Sequence, residues 1–418
     1  VILASTWQAP EVPELTGDPV PVSLYNTATE TVEAVKLEDG VARLYVCGIT
    51  PYDATHLGHA ATYLAFDTLV RALGQAGVPV EYSQNITDVD DPLFERADAT
   101  NVDWQELASS QTDLFRGDMA ALRVVPPNSY VRVQDVIEEI ADAVGVLLDR
   151  GLGYTVPTEE SEGEDVYFDL RASQEGDLYE LGAMSHFSPE KLGEAFVEFG
   201  GDPDRPGKRS PLDPLLWRAQ RDGEPSWPSR AGDGRPGWHV ECAVIATGTL
   251  GDTVSIQAGG RDLRFPHHEM TAAHASAITQ QRFTDHYAHA GLVAYEGAKM
   301  SKSLGNLVLV SKLTEAGNDP AAVRLAVIAH HYREDWEWFA EELVAATERL
   351  ETWREAAARA DAETAEASDY GQRIREAIAN DLDTPTAIAI VDAWAGEERP
   401  DPAVIDVVDA LLGVKLTS

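Results

Sequence analysis

The chain has 418 residues, 44% of them hydrophobic and 8% aromatic, which is enough for two or three domains with buried cores. Seventy-one Asp and Glu against 32 Lys and Arg leave a formal net charge of −39; this argues against a large nucleic-acid partner, whose binding places cations on phosphates, although solubility or a saline habitat accounts for the acidity as well. No apolar run reaches the roughly 18 residues of a membrane span, no basic leader opens the sequence, and two cysteines cannot build a disulfide framework, so cytoplasmic residence is the expectation.

In chain order, residues 1–39 read as an N-terminal extension and 40–125 as the first half of a Rossmann-like catalytic domain. There the apolar run Arg43–Cys47 reads as a strand. A helix follows with Tyr63, Phe66, Val70 and Leu73 on one face, and Val78, Val80 and Tyr82 alternate as a second strand. Strand, helix and strand in that order predict a βαβ unit and a parallel sheet. Residues 126–215, with Gly, Pro and acidic clusters such as 157–165, read as an inserted connective domain. The second catalytic half is placed at 216–290, with a strand at Thr253–Gln257 before Gly259 and Gly260. A loop region at 291–335 leads to an Ala- and Glu-rich helical bundle at 336–418. The expected class is therefore α/β with a C-terminal α-helical bundle.

Two constellations carry chemistry. His56-Leu57-Gly58-His59 falls at a helix entry, where unpaired N–H groups and the positive dipole end suit a triphosphate, and Gly58 leaves room for a nucleotide. Lys299-Met300-Ser301-Lys302-Ser303 reads as a loop able to fold over phosphates and neutralise charge that develops on them. Each alone also reads as ordinary polar surface.

Together the two motifs resemble the signatures of class I aminoacyl-tRNA synthetases. The resemblance narrows to the cysteine branch through Val46-Cys47-Gly48-Ile49-Thr50-Pro51-Tyr52-Asp53, Gly237-Trp238-His239-Val240-Glu241-Cys242 and Gly260-Arg261-Asp262-Leu263-Arg264-Phe265-Pro266-His267-His268-Glu269, and it covers residues 40–340. It implies a class I synthetase-type parallel sheet and a Zn²⁺ ion that selects cysteine through its thiol. Cys47, Cys242 and His267 align with three ligands of that site; without the resemblance the two cysteines read as ordinary buried thiols.

The cysteinyl-tRNA synthetases usually carry a glutamate four residues after the ligand histidine, where this chain has Thr271. Thr271 should face the metal but ligates poorly, which leaves a vacancy for the substrate thiolate and disfavours serine. A hydrolytic His-Glu-x-x-His motif is absent, since Ala272 follows His268-Glu269 without a second histidine.

With Thr271, the stretches Ile49–Tyr63, Glu198–Lys208 and Pro266–His274 look closest to the mycothiol-biosynthesis cysteine ligases, paralogues of cysteinyl-tRNA synthetase. Where that family has Arg in a Glu-Arg-Gly-Gly-Asp-Pro motif, this chain has Phe199. The resemblance implies that ATP, with Mg²⁺, and L-cysteine form a cysteinyl-adenylate, which then acylates the amine of glucosaminyl-inositol. It places His56, His59, Lys299 and Lys302 at the phosphates. Cys47, Gly48, Ile49, Thr50, Thr62, Asn85, Ile86, Thr87, Trp238, Gly260, Arg261, Asp262 and Val293 fall at its adenylate positions.

Residues 341–418 hold 18 acidic residues against 7 basic, so no tRNA partner is expected. A monomer is expected, and Tyr52 and Trp227 are candidates for a sugar site. Asp88, Asp90 and Asp91 invite a magnesium assignment, but Asp91-Pro92 reads better as a helix cap followed by Pro at the first helical position. A true cysteinyl-tRNA synthetase and a catalytically silent paralogue are the alternatives.

Overall fold

Short β-branched and aromatic runs supply the strands. The computed structural model describes residues 2–52, 55–174, 178–300, 305–361 and 368–417. A hairpin of β1 (Ser23–Asn26) and β2 (Thr31–Ala34) precedes the main sheet. Strands β3 (Ala42–Val46), β4 (Val80–Ile86) and β5 (Ser129–Arg132) then pair in parallel. Helix α1 (Leu57–Gln75) connects β3 to β4, and α2 (Asp91–Thr100) and α3 (Trp104–Ala121) connect β4 to β5.

After α4 (Ile137–Asp149) the chain builds a separate antiparallel sheet from β6 (Gly153–Pro157), β7 (Glu164–Phe168), β8 (Leu215–Ala219) and β9 (Gly234–Pro236). Helices α5 (Leu170–Ser173) and α6 (Pro189–Glu198) lie between β7 and β8. Helix α7 (Trp238–Leu250) returns to β10 (Ile256–Gly260), and α8 (Glu269–Thr279) leads to β11 (Tyr287–Ala290). The five-stranded parallel sheet has the order β11-β10-β3-β4-β5.

Strand membership corrects the expected boundaries of the insertion. Residues 129–132 pair with β4 in the parallel sheet, so a boundary at 126 cuts that sheet. The antiparallel sheet runs on to Pro236, well past 215. Strand β10 begins at Ile256 and contains both Gly259 and Gly260, later than the alternation predicts.

Beyond the sheet, β12 (Val293–Tyr295), β13 (Ala298–Lys299) and β14 (Trp336–Glu337) form a small three-stranded unit. Among the described residues six α-helices follow or flank it: α9 (Val310–Glu315), α10 (Pro320–Ile328), α11 (Ala340–Arg359), α12 (Tyr370–Ala379), α13 (Thr384–Ala395) and α14 (Ala403–Val407). No described helix is long and apolar enough to cross a membrane.

One buried cluster joins the sheet to the helical region. On α1, Tyr63, Phe66 and Leu73 of the predicted face are buried and Val70 is half-buried. Each fully buried side chain of this kind stabilises by about 1.5–3 kcal/mol. Asp67, also on α1 and buried, accepts from Arg71 Nε at 2.8 Å and from Arg324 of α10. Arg324 donates further to the carbonyl oxygens of Leu122 at 2.8 Å and Leu412 at 2.6 Å. Its guanidinium fills the space where a Cβ at Gly413 would stand, at 2.4 Å, and Gly413 has φ +65°. Burial opposes charge on Asp67, yet Arg71 and Arg324 outweigh it and hold the carboxyl below its ordinary range.

Candidate active site

The signature motifs meet at the carboxyl ends of β3, β4 and β10, where ligand crevices of open parallel sheets lie. Two cavities share this edge. One of about 120 Å³ is lined by His56, His59, Thr62, Gly260, Val293 and Lys299, among others. The other, of about 750 Å³, runs from Thr50, Asn85, Thr87 and Trp238 towards the inserted sheet. Cys47, Gly48 and Asp262 line both.

In the smaller cavity the structure changes the reading of the first motif. His56 is the N-cap of α1, and its Nδ1 accepts from the N–H groups of Gly58 at 3.1 Å and His59 at 3.4 Å. The N–H of Leu57 is bonded to the Val308 carbonyl at 2.9 Å. The helix end therefore does not offer these donors to a triphosphate; an imidazole takes them instead. Gly58 makes room for that ring, because a Cβ there would meet His56 Cε1 at 2.8 Å and Nδ1 at 2.9 Å. The His59 ring stacks on it at 3.8 Å between centroids.

Lys299 reaches this cavity from β13 and is tied to Asp262 Oδ2 at 2.7 Å. Ser301, Lys302 and Ser303 of the second motif, and Asp53 of the first strand's loop, lie outside the described residues. Thr62 donates to the Gly58 carbonyl at 3.2 Å. Arg261 points elsewhere: its guanidinium is engaged by Asp335 at 2.7 Å and by the Arg333 carbonyl. Ile49 and Ile86 bury their side chains in the core and line neither cavity, and the Ile49 carbonyl accepts from Thr87 N–H at 3.0 Å.

Asn85 organises the crossing from β3 to β4. Its Oδ1 accepts from Tyr45 Oη at 3.0 Å and Gly48 N–H at 2.8 Å, and its Nδ2 donates to Thr87 Oγ1 at 2.9 Å. Any side chain at position 48 would collide with the Asn85 carbonyl, a Cβ falling 1.7 Å from it. Thr50 donates to Asp90 Oδ2 at 3.2 Å, and Asp90 Oδ1 accepts from the Asp91 N–H. Asp90, not Asp91, is thus the cap of α2, and Pro92 stands one place deeper than the sequence reading expects.

Cys47 at the end of β3, Cys242 on α7 and His267 before α8 converge, their ligand atoms all within 4.8 Å of one another. Tetrahedral ligation, with metal–sulfur and metal–nitrogen distances of about 2.3 and 2.0 Å, suits that spacing, and soft thiolates with an imidazole suit zinc chemistry. His267 Nε2 lies 3.3 Å from Cys242 Sγ, and its Nδ1 lies 2.9 Å from Nδ1 of His239. Burial, together with the neighbouring histidines, holds His267 well below the ordinary imidazole range; burial takes His239 and His268 to about 3. All three rings are neutral at pH 7, and a neutral ring has the lone pair a metal needs. Burial, with Cys242 beside it, pushes the Cys47 thiol up. A buried thiol of this kind ionises readily only around a cation, so the residues fit a bound metal.

Several neighbours escape sequence reasoning. His268 Nε2 lies 3.2 Å from Cys47 Sγ, its Nδ1 2.8 Å from His289 Nε2, and His289 Nδ1 2.7 Å from Thr27 Oγ1. Thr27, Cys47, His268 and His289 come from four separate segments, and spacing gives no signal of their meeting. Glu241, fully buried beside Cys242, has neither carboxylate oxygen hydrogen-bonded among the described residues. Thr271 is buried, but its hydroxyl bonds the His239 carbonyl at 3.4 Å. Of the sugar-site candidates, Tyr52 lines the larger cavity, whereas Trp227 packs edge-on against Trp104.

Comparisons with known proteins agree with this geometry. Residues 33–348 match the family described as tRNA synthetases class I (C) catalytic domain. An L-cysteine:1D-myo-inositol 2-amino-2-deoxy-alpha-D-glucopyranoside ligase of Clavibacter michiganensis subsp. michiganensis (strain NCPPB 382) is 52% identical over 99% of both chains. A ligase with the same name from Corynebacterium glutamicum (strain R) is 50% identical over 98% of this chain and all of its own. Among solved structures, methionyl-tRNA synthetase of Mycobacterium tuberculosis, bound by methionyl-adenylate, superposes with a TM-score of 0.63. That match covers 89% of this chain and 92% of the other at 16% identity, a likeness of fold alone. The fold is that of a class I synthetase. Within that class the chain belongs to the family of L-cysteine:1D-myo-inositol 2-amino-2-deoxy-alpha-D-glucopyranoside ligases.

Proposed function

We propose that the protein activates L-cysteine with ATP as cysteinyl-adenylate, then transfers the cysteinyl group to the amine of glucosaminyl-inositol, releasing pyrophosphate and AMP. The observation that carries this reading is the position of Cys47 and Gly48 on the walls of both cavities, between the His56–Lys299 side and the Cys242–His267 side. A small amino acid held by its thiol at one side extends its carboxylate towards the other, where an α-phosphate would be met.

In this reading zinc is the ion that Cys47, Cys242 and His267 hold, and when bound it supplies a soft Lewis-acidic seat for the substrate thiolate. His239 fixes the His267 ring through Nδ1, and Trp238 covers its face. His56, His59 and Lys299 face the phosphates, the motif resemblance assigns Lys302 the same role, and Mg²⁺ accompanies ATP. Asn85, Thr87, Gly48, Gly260, Asp262, Thr62 and Val293 shape the adenylate seat. Positioning and electrostatic stabilisation, with no covalent enzyme intermediate, supply the rate.

The acceptor is an amino sugar and not tRNA, a reading supported by the acidic helical region and the net charge of −39. A monomer working in the cytoplasm, where ATP is supplied, completes the proposal. Cysteine-dependent exchange of pyrophosphate into ATP tests the activation step: exchange with cysteine and none with serine is expected. No cysteine-dependent exchange would remove both the ligase and the tRNA-synthetase readings.

A further inference from the structure

The larger cavity continues past Thr50 and Trp238 to the inserted antiparallel sheet, far beyond what a cysteinyl group fills. Its basic groups there are already matched. Arg218 is bound to Glu224 by two contacts of 3.1 Å, Arg235 to Glu224 at 2.9 Å and to Asp91, and Arg205 to Asp165 at 2.9 Å. Asp202 is matched by Lys208 at 2.9 Å and by Tyr167. Asp90 differs. One of its oxygens caps α2, and among the described residues the other accepts only a hydroxyl, that of Thr50, at 3.2 Å. A carboxylate oxygen has two acceptor sites, so Oδ2 keeps one to use in the cavity that Asp90 lines.

Resting on the function proposed above, we infer that Asp90 is the carboxylate that receives the acceptor amine and takes its proton in the transfer step. The sugar ammonium meets Asp90 at the junction of the adenylate seat and the wider cavity, where the Thr50 hydroxyl holds the carboxylate in place. One proton passes to Asp90 and frees the nitrogen lone pair. The nitrogen then attacks the carbonyl carbon of the acyl-adenylate, forming the C–N bond. The bond from that carbon to the phosphate oxygen breaks, and its electron pair leaves with AMP. The second nitrogen proton departs with the AMP phosphate.

The electrostatics agree with this role. Burial first, and Asp91 next, raise the Asp90 carboxyl to about 7, against the lowering effects of the Thr50 hydroxyl, Arg235 and the Asp91 N–H. Glu241 on α7 is in electrostatic reach of Asp90, but burial, with Asp90 next, pushes its own carboxyl well above the ordinary range and keeps it protonated near neutrality; Glu95 stands on the cavity wall. A base that titrates near neutrality is the form most effective in proton transfer at pH 7.

The test is Asp90→Asn in the full chain. Asn caps helices as well as Asp, so α2 is kept while the proton acceptor is lost. The expected result is a split between half-reactions: transfer from preformed cysteinyl-adenylate to glucosaminyl-inositol falls by about 100-fold, while cysteine-dependent pyrophosphate exchange falls far less. In the wild type, single-turnover transfer should lose half its rate as pH falls to about 7, and this limb should vanish in Asp90→Asn. Wild-type transfer rates in the variant, an equal loss in both half-reactions, or a flat wild-type profile between about pH 6 and 8 would each overturn the assignment. Exchange without any wild-type transfer to the sugar would instead overturn the functional reading beneath it.

Discussion

The indole of Trp238 lies stacked on the imidazole of His267, 4.0 Å between centroids and 20° between planes. One ring lines the large cavity and the other belongs to the metal-capable trio, so the wall of the substrate pocket also fixes a ligand. Aromatic pairs of this kind contribute about 0.5–1.5 kcal/mol beyond area burial. Trp238→Ala should raise KM for cysteine by roughly tenfold, the equivalent of about 1.4 kcal/mol, with KM for ATP much less affected. Steady-state kinetics with each substrate varied checks this.

How much of this site could be read from sequence follows from where its residues come from. The β3–α1–β4 unit was legible because its apolar positions keep strict strand and helix spacing, and Cys47, Cys242 and His267 were legible through motif resemblance. His239, His268 and His289 became neighbours only once β3, α7, α8 and β11 were placed side by side. The capping role of His56 was hidden because histidine is not a usual cap; the ring takes that part through Nδ1 geometry, not residue type. The insertion's limits were misplaced because β5 has only four residues and β9 three, too short for alternation to register.

Cys242→Ser replaces a soft sulfur with a hydroxyl of similar size. The variant should hold zinc more weakly, and its affinity for cysteine should fall at least tenfold while ATP binding persists. Metal analysis after dialysis against a chelator, together with cysteine titration of the reloaded protein, checks this. A zinc-loaded variant with undiminished cysteine affinity would refute the ligand assignment.

His56→Asn separates the cap from the phosphate role. Asn is among the strongest caps, so stability should stay within about 0.5 kcal/mol of the parent. Loss of the imidazole should nevertheless lower pyrophosphate exchange by about 100-fold, the scale of removing one charge-stabilising group. Exchange at the parent rate would reduce His56 to a helix cap.

Asp67→Asn leaves Arg71 and Arg324 buried without their carboxylate. Removing one partner of a buried pair costs about 3–5 kcal/mol, measured by urea unfolding at pH 7. The folded carboxyl is held below its ordinary value of 3.8, so its stabilisation is fully present above about pH 4 and is lost as pH falls through the lowered value. The difference between parent and variant should therefore shrink in acid.

The central claim is the acceptor. The protein, loaded with zinc and supplied with Mg²⁺, ATP and labelled cysteine, should be given glucosaminyl-inositol in one reaction and tRNA in another. The account predicts a cysteinyl amide of the sugar, formed in step with AMP, and no labelled tRNA. Label on tRNA with none on the sugar would contradict it.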